Sequence, residues 1–161
     1  MENLKLTRID FRLIHGQVMT RWVKKYNTET IVVIDDRSAT SPLLKKILLG
    51  MAPSGVDVRV ETIESAVKKW NENDLLSGSS MILFKNTETA LRAWEAGVKF
   101  PSLQVGGIEG AGDKKNIYKN VVMSKHEAEQ LEKLGAGGVH VFFQPIPEDN
   151  EYSLKDALAK F

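Results

Sequence analysis

The residues best suited to chemistry in this sequence lie in one short segment, R-I-D-F-R-L-I-H-G-Q-V, at residues 8–18. His15 stands where a strand-like stretch and a polar turn give way to the next helix. Arg8 and Arg12 flank that turn, and Gly16 places no side chain beside the imidazole. A nucleophile, two cations and a helix start are therefore close together in the chain.

The chemistry that suits this arrangement is the holding of a phosphoryl group on a histidine nitrogen. A helix N-terminus leaves backbone N–H groups without partners and attracts anions. Neutral imidazole is a nucleophile, and the positive helix end favours its uncharged form. The arginine fork matches phosphate oxygens. A histidine near a helix start is also commonly a cap or a surface residue, and the residue types alone leave both interpretations open.

Strand-like and helix-like stretches alternate along the rest of the chain. Strands are predicted at Asn3–Ile9, Thr30–Ile34, Val56–Val60, Met81–Phe84, Leu103–Val105, Asn120–Met123 and Val139–Phe143. Helices are predicted after His15, from Ser41, through Ala66 and Trp70, at Thr87–Ala96, from Ser124 and from Ser153. This order predicts an α/β fold, an open, mostly parallel twisted sheet with helices on both faces, in a single domain. Ligands bind beyond the carboxyl ends of such strands, where His15 is expected to lie.

Two of these helices carry local signals for where they begin. Pro42 suits the first helical position, and Ser124 with Glu127 forms a capping-box pattern. In the helix after Ser41, the side chains at helical spacing are predicted to form a buried apolar face, and they are Leu43, Leu44, Ile47 and Leu48.

The composition excludes several classes of function. The 161 residues carry a net charge of +1, which argues against nucleic acid as the main partner. The absence of cysteine excludes disulfide and thiolate chemistry. No apolar run is long enough for a membrane span, no signal-peptide core starts the chain, and no block of lysine and arginine suggests a membrane tether. A cytoplasmic protein is expected.

Residues 8–18 resemble the active-site signature of the IIB components of the mannose/fructose/sorbose family of the bacterial phosphoenolpyruvate-dependent sugar phosphotransferase system. That signature reads approximately R-I-D-[DE]-R-L-I-H-G-Q-V and precedes a helix with a tryptophan, here Trp22. The resemblance continues in I-V-V-I-D-D (Ile31–Asp36), M-A-P-S-G-V (Met51–Val56) and L-Q-V-G-G (Leu103–Gly107). It extends over nearly the whole chain, and residues 1–161 are predicted to form one IIB domain.

The resemblance implies a protein-phosphohistidine–sugar phosphotransferase. His15 would accept a phosphoryl group, on its δ1 nitrogen, from a phosphohistidine of a IIA protein or domain. It would then donate the group to a sugar of the mannose, fructose, sorbose or amino-sugar type during uptake through the membrane IIC/IID complex. The protein would associate with the membrane only by binding that permease. The resemblance implies no cofactor and no metal.

Roles for the neighbouring residues follow from the same resemblance and the helix-terminus argument. Arg12 is expected to clamp the transferred group. Backbone N–H groups from Gly16 and Gln17 onward would hold its oxygens, while Arg8 and Asp10 order the loop. We expect a convex rim with a protruding histidine rather than a deep pocket.

Two positions depart from the family pattern. Phe11 stands where the family has an acidic residue, and Gln104 stands where it has asparagine. Phe11 is interpreted as a contact for the IIA partner, or as local packing. Together the two departures favour a subgroup away from the commonest mannose pattern, with an amino sugar as substrate.

Other candidate residues receive structural interpretations. Asp35 and Asp36 are expected to begin a turn rather than to hold a metal. The glycine-rich stretch Gly106–Lys115 lacks the Lys-Ser/Thr of a nucleotide-binding loop and is expected to be a mobile rim loop, in which Gly106 and Gly107 bring backbone near the phosphoryl group. His126 and His140 are interpreted as structural, and the three tryptophans, Trp22, Trp70 and Trp94, as core residues.

Two other classes of function stay open from the residues alone. One is an α/β enzyme that binds a nucleotide or small phosphate at the same rim. The other is a regulatory module that is phosphorylated but never passes the group to a sugar.

Overall fold

Nine strands and seven helices form the part of the chain that the computed structural model describes, which is residues 2–161 without the side chains of Gln17 and Val18. The strands are β1 (Leu4–Asp10), β2 (Thr30–Ile34), β3 (Asp57–Glu61), β4 (Ser80–Phe84), β5 (Ser102–Gly107), β6 (Lys115–Tyr118), β7 (Val121–Met123), β8 (His140–Phe143) and β9 (Tyr152–Ser153). The helices are α1 (Gly16–Tyr26), α2 (Asp36–Thr40), α3 (Pro42–Gly50), α4 (Ile63–Asn71), α5 (Thr87–Ala96), α6 (Lys125–Ala136) and α7 (Leu154–Leu158).

Seven strands form one sheet in the order β3-β2-β4-β1-β5-β8-β9. All neighbours are parallel except β8 and β9, which are antiparallel. Strand β1 lies between β4 and β5, so its carboxyl end sits between two other strand ends. The predicted open, mostly parallel sheet is confirmed, and residues that follow β1, β5 and β8 are brought to the same edge.

Helices cover both faces of this sheet and bury a separate apolar cluster on each. One cluster includes Ala66 of α4, Ala90 of α5 and Leu131 of α6. The other includes Trp22 of α1 and Leu48 of α3. Strand β2 (T-I-V-V-I) is buried throughout, as expected for a central strand with both faces covered. The predicted helices on both faces are therefore confirmed.

Several short elements differ from the sequence prediction. Asp35 and Asp36 begin helix α2 rather than a simple turn, because the Asp35 carboxylate accepts a hydrogen bond from the Ser38 backbone N–H at 3.1 Å and caps the helix. A β6–β7 hairpin replaces the single strand predicted at Asn120–Met123, and β9 was not predicted. These elements are two to five residues long, too short to show a periodic pattern.

The start of helix α3 is as predicted, but its buried face is not. Ser41 caps the helix and Pro42 opens it. Of the four predicted apolar-face residues only Leu48 is buried, while Leu43 is 67% and Ile47 48% exposed. Helix α3 contacts β3, the edge strand of the sheet, so a narrow stripe of the helix is covered.

Candidate active site

The candidate site is the loop that joins β1 to α1. The backbone N–H of Leu13 donates to the Asp10 carbonyl at 2.9 Å and closes a tight turn. Leu13 has a φ of 56° and Gly16 a φ of 43°, so the chain takes the left-handed conformation on both sides of His15. This conformation is uncommon for a leucine, and its unfavourable backbone free energy must be offset by the surrounding contacts.

His15 is the N-cap of α1 and is held from both sides of its ring. Nδ1 lies 3.1 Å from the Leu13 carbonyl oxygen, and Nε2 lies 3.8 Å from Oδ2 of Asp10. Nε2 is buried and has no hydrogen-bond partner among the described residues. The side chain is only 18% exposed, so the expectation of a protruding histidine is wrong. The Asp10 carboxylate and the loop backbone shield the ring.

The carboxylate of Asp10 is the centre of the site. It is fully buried and accepts hydrogen bonds from Nη2 of Arg8 at 3.2 Å and from Nε and Nη2 of Arg12 at 3.1 and 3.3 Å. The backbone N–H of Arg12 also donates to it, at 3.2 Å. Asp10 thereby brings together three of the residues that the sequence predicted, Arg8, Arg12 and His15.

Arg8 holds Asp10 in place from the interior of the protein. Its side chain is fully buried and donates to the carbonyls of Gln144 at 3.0 Å and Pro145 at 2.9 Å, as well as to the side chain of Gln104. The ring of Trp22 lies 5.3 Å away from the guanidinium carbon. Burial lowers the pKa of Arg8 to about 10, against the opposing effect of Asp10. The group remains charged at neutral pH, so the charge is compensated by partners rather than removed.

Gln104 and Gln144 are functional candidates that the sequence reasoning missed as a pair. Nε2 of Gln104 donates to Oε1 of Gln144 at 3.2 Å, and Nε2 of Gln144 donates to the Asp149 carbonyl at 3.0 Å. The sequence carried only part of the signal: Gln104 lies in one predicted strand and Gln144 directly follows another, but their meeting beside Arg8 depends on the order of the strands. Through Arg8, they connect strand β1 to the segment that follows β8.

Gly106 is required by the close approach of Arg8, because a Cβ at this position would overlap the guanidinium group. Gly106→Ala is expected to lower the free energy of unfolding by about 1–3 kcal/mol, the usual cost of overpacking a core. Thermal unfolding measures the effect. Gly110→Ala is the matched control, because no atom lies within 4 Å of its Cβ position. Equal unfolding temperatures for the two variants would contradict this role for Gly106.

Phe11 is half-buried and lines two cavities on the same rim. A cavity of about 260 Å³ continues toward His126 and Gln130, and one of about 460 Å³ continues toward Gly107 and Ile146. The guanidinium carbon of Arg12 lies 5.3 Å from the Phe11 ring. The rim beside Arg12 is therefore grooved, and Phe11 is its apolar ridge.

An anion can be bound where α1 begins. None of the described side chains caps the N-terminus of α1, its first turn holds no acidic residue, and a Cβ at Gly16 would meet nothing within 4 Å. The Arg12 side chain is 45% exposed. Open backbone N–H groups and an accessible guanidinium can together hold phosphoryl oxygens. The side chain of Gln17, also predicted for this site, lies outside the described residues.

Among the described residues, none of the remaining candidates forms a hydrogen bond with Asp10 or His15. His126 lies on the first turn of α6 with Nε2 at 3.3 Å from Nε2 of Gln130, and His140 is exposed beside Glu151. Trp22 is buried as predicted, whereas Trp70 and Trp94 are partly buried against the core.

The glycine-rich stretch divides between two elements, since β5 extends through Gly107 and a loop at residues 108–114 leads into β6.

The described residues form neither a metal-binding cluster nor a membrane-spanning helix. Within residues 2–161, apart from the undescribed side chains, no group of three or more His, Cys, Asp or Glu residues is placed to hold a metal. None of the helices described has both the length and the apolar character needed to cross a membrane.

Comparison with known proteins agrees with the geometry. Residues 4–161 match the family model described as PTS system sorbose subfamily IIB component, where PTS is the phosphotransferase system. The chain is 33% identical over 155 residues to the PTS system mannose-specific EIIAB component of Escherichia coli (strain K12), which covers 96% of this chain and 48% of that protein. It therefore spans about half the length of that relative.

Two further similarities extend over nearly the whole of both chains. The PTS system fructose-specific EIIB component of Bacillus subtilis (strain 168) is 31% identical over 149 residues, or 92% of this chain and 91% of that protein. The crystal structure of manxB from Thermoanaerobacter tengcongensis superposes with a TM-score of 0.90 at 35% identity, and the match covers 98% of this chain and 96% of that chain. The chain therefore has the fold of these proteins, and the residues matched by the family model include those of the β1–α1 loop.

Proposed function

The chain belongs to the sorbose subfamily of phosphotransferase-system IIB components, and we propose that His15 is the residue on which it carries the phosphoryl group. Proteins of this family are phosphotransferases that act in sugar uptake. The proposed donor is a phosphohistidine of a IIA protein or domain. The proposed acceptor is a sugar of the mannose, fructose, sorbose or amino-sugar type, bound by a membrane IIC/IID complex that the protein meets from the cytoplasm.

One observation carries this proposal. The buried carboxylate of Asp10 contacts Arg8, Arg12 and the imidazole of His15 at once, directly beside the open N-terminus of α1. Asp10 fixes the orientation of Arg12 and lies against Nε2 of His15. A nucleophile, a guanidinium clamp and an anion cradle are thereby held in one arrangement, as transfer of a phosphoryl group requires.

The accepting atom in this proposal is Nδ1. The Leu13 carbonyl can only accept, so the hydrogen bond to it places the ring proton on Nδ1. This hydrogen bond opens first, and the proton moves through solvent to Nε2, where the neighbouring Asp10 carboxylate favours it. The lone pair of Nδ1 is then free for attack. A bond then forms between Nδ1 and phosphorus as the bond from phosphorus to the partner's imidazole nitrogen breaks, and the partner's imidazole leaves with the electron pair of that bond.

The surrounding groups stabilise the transferred phosphoryl group. Backbone N–H groups at the start of α1, from Gly16 and Gln17 onward, receive its oxygens, and Arg12 neutralises the charge that spreads over them. Arg8 does not reach the group, because its side chain is fully buried and its Nη1 and Nη2 atoms donate to Asp10, to Gln104 and to the segment that follows β8. It acts by holding Asp10 in place.

The direct test is phosphoryl acceptance. The protein is mixed with phosphoenolpyruvate, the two general phosphotransferase proteins and a IIA partner, and its intact mass is read. A gain of one acid-labile phosphoryl group supports the proposal. No gain with two different family IIA partners, each shown to be phosphorylated, would contradict it.

Arg12→Ala is expected to slow transfer by about a hundredfold, a loss typical of removing one donor that stabilises developing charge. The fold should persist, since the side chain is nearly half exposed. Single-turnover transfer from a phosphorylated IIA partner measures the rate. Arg12→Lys is the matched variant: it keeps the charge but loses the fork, so an intermediate rate is expected. An unchanged rate for Arg12→Ala would restrict Arg12 to ordering the loop.

Phe11→Asp is expected to slow transfer from the cognate IIA partner, because it replaces the apolar ridge of the rim with a charge. The weakened step should be association, so the rate should recover as the concentration of IIA rises, whereas the rate at saturation stays near that of the natural sequence. Rates measured across a range of IIA concentrations separate the two quantities. If Phe11→Asp and the natural sequence show equal transfer rates at every IIA concentration, Phe11 has no role in partner recognition.

A further inference from the structure

Exposed apolar side chains are concentrated on one helix. Five large apolar side chains are exposed among the described residues, and four of them belong to α3 and the residue that ends it. They are Leu43 (67% exposed), Ile47 (48%), Leu49 (43%) and Met51 (44%). Scattered apolar residues on a surface need no explanation, but a cluster of this kind marks an interaction surface.

The same side of the molecule is basic. Helices α1 and α3 cover one face of the sheet and contain five basic residues and no acidic one. Arg21 is paired with Glu148, whereas no ion pair is described in this structure for the four lysines Lys24, Lys25, Lys45 and Lys46. Of these, Lys45 lies near enough to Glu61 to help lower the pKa of that carboxyl group. The whole chain has a net charge of only +1, so the rest of it is net negative. We call these four lysines and the four exposed apolar residues the basic–apolar face.

Charge decides what this face can bind. A second copy would bring two sets of unpaired lysines together, which electrostatics disfavours. Cytoplasmic loops of membrane proteins carry an excess of lysine and arginine and would repel it as well. The cytoplasmic leaflet of a membrane is anionic and attracts lysines near its surface.

We propose that the basic–apolar face adsorbs to anionic phospholipid at the membrane surface. Leu43 and Ile47 are one turn apart on the same side of α3, and Lys46 lies between them on the exposed side. Apolar side chains on a surface helix enter the boundary between headgroups and acyl chains, while lysines extend to the headgroup phosphates. This contact adds to docking on a permease and does not depend on the proposed phosphoryl transfer.

The separation of the lysines along the chain explains why the sequence did not show this face. Lys24 and Lys25 lie in the last turn of α1, and Lys45 and Lys46 lie in the middle of α3, with strand β2 and helix α2 between the two pairs in the chain. Neither pair forms a basic block. The fold places both pairs on one face of the sheet. The sequence predicted that only the permease holds this protein at the membrane, and the proposal adds a direct contact with lipid.

Vesicle binding tests the proposal without any phosphoryl donor. The protein is sedimented with vesicles of phosphatidylcholine alone and with vesicles of phosphatidylcholine and phosphatidylglycerol in equal parts. Binding is expected only to the anionic vesicles, and added salt should weaken it. Lys24→Glu/Lys46→Glu should reduce binding by about tenfold or more, and Ile47→Ser should reduce it at low and high salt alike.

The matched control reverses the same number of charges on the opposite face. Lys68→Glu/Lys133→Glu changes exposed lysines of α4 and α6 and should leave vesicle binding unchanged. Equal loss in both double variants would overturn the proposal, because net charge alone would then explain binding. Binding only to vesicles that contain the permease would also overturn it, as would a dimer that Ile47→Ser abolishes in the absence of vesicle binding.

Discussion

His15→Ala is expected to abolish phosphoryl acceptance while leaving the protein folded. The substitution removes the only nitrogen nucleophile in the β1–α1 loop, and no other side chain there can replace it. The folded state loses the hydrogen bond between Nδ1 and the Leu13 carbonyl, which contributes about 1 kcal/mol. Intact mass after incubation with a phosphorylated IIA partner measures acceptance, and thermal unfolding measures the fold.

The other two histidines provide the controls. His126→Ala and His140→Ala change imidazoles that lie away from Asp10, and both variants should accept the phosphoryl group as the natural sequence does. Acceptance by His15→Ala at the normal extent would place the phosphoryl group on another residue and refute the proposed function. Loss of acceptance in all three variants would point to a damaged fold rather than to a lost nucleophile.

Asp10→Asn is expected to produce the largest loss of stability among these variants and a large loss of transfer rate. The substitution keeps the shape of the side chain but leaves the fully buried charge of Arg8 without its counter-charge. Removing one partner of a buried ion pair costs about 3–5 kcal/mol. Arg12 and Nε2 of His15 also lose their common partner, so transfer should slow beyond what Arg12→Ala causes. Denaturant unfolding and single-turnover transfer measure the two effects.

Asp35→Asn gives the corresponding change directly after strand β2, which β4 separates from β1 in the sheet. Asp35 is buried too, but it caps α2 through Ser38 rather than balancing a buried charge. Asparagine is also a good helix cap, so the loss should be small, below about 1 kcal/mol. If the two variants unfold alike, Asp10 contributes only as an ordinary turn residue, and the role of the Arg8–Asp10 pair in stability would be refuted.

Much of the local structure was predictable because its causes are local. The buried run Thr30–Ile34 has the length and branching of a central strand, and it forms one. Ser124 and Glu127 form the predicted capping box with hydrogen bonds of 2.9 and 3.1 Å. Alternation of such elements is enough to predict a parallel sheet with helices on both faces.

The motif at residues 8–18 likewise located the candidate site, because a strand end, a turn and a helix start are properties of consecutive residues. The sequence indicated that His15 begins a helix and that Arg8, Asp10 and Arg12 lie near it. It did not show that Asp10 is the shared partner of all three, since that depends on side-chain directions set by the turn at Leu13.

Only the tertiary structure decided what surrounds this segment. Gln104 and Gln144 lie far from Arg8 along the chain, and they meet it because β1, β5 and β8 are neighbours in the sheet. The exposure of Leu43 and Ile47 depends on α3 lying over the edge strand β3. Sequence periodicity shows which side chains share a face of a helix, but the order of the strands determines whether another element covers that face, and strand order is a property of contacts between distant residues.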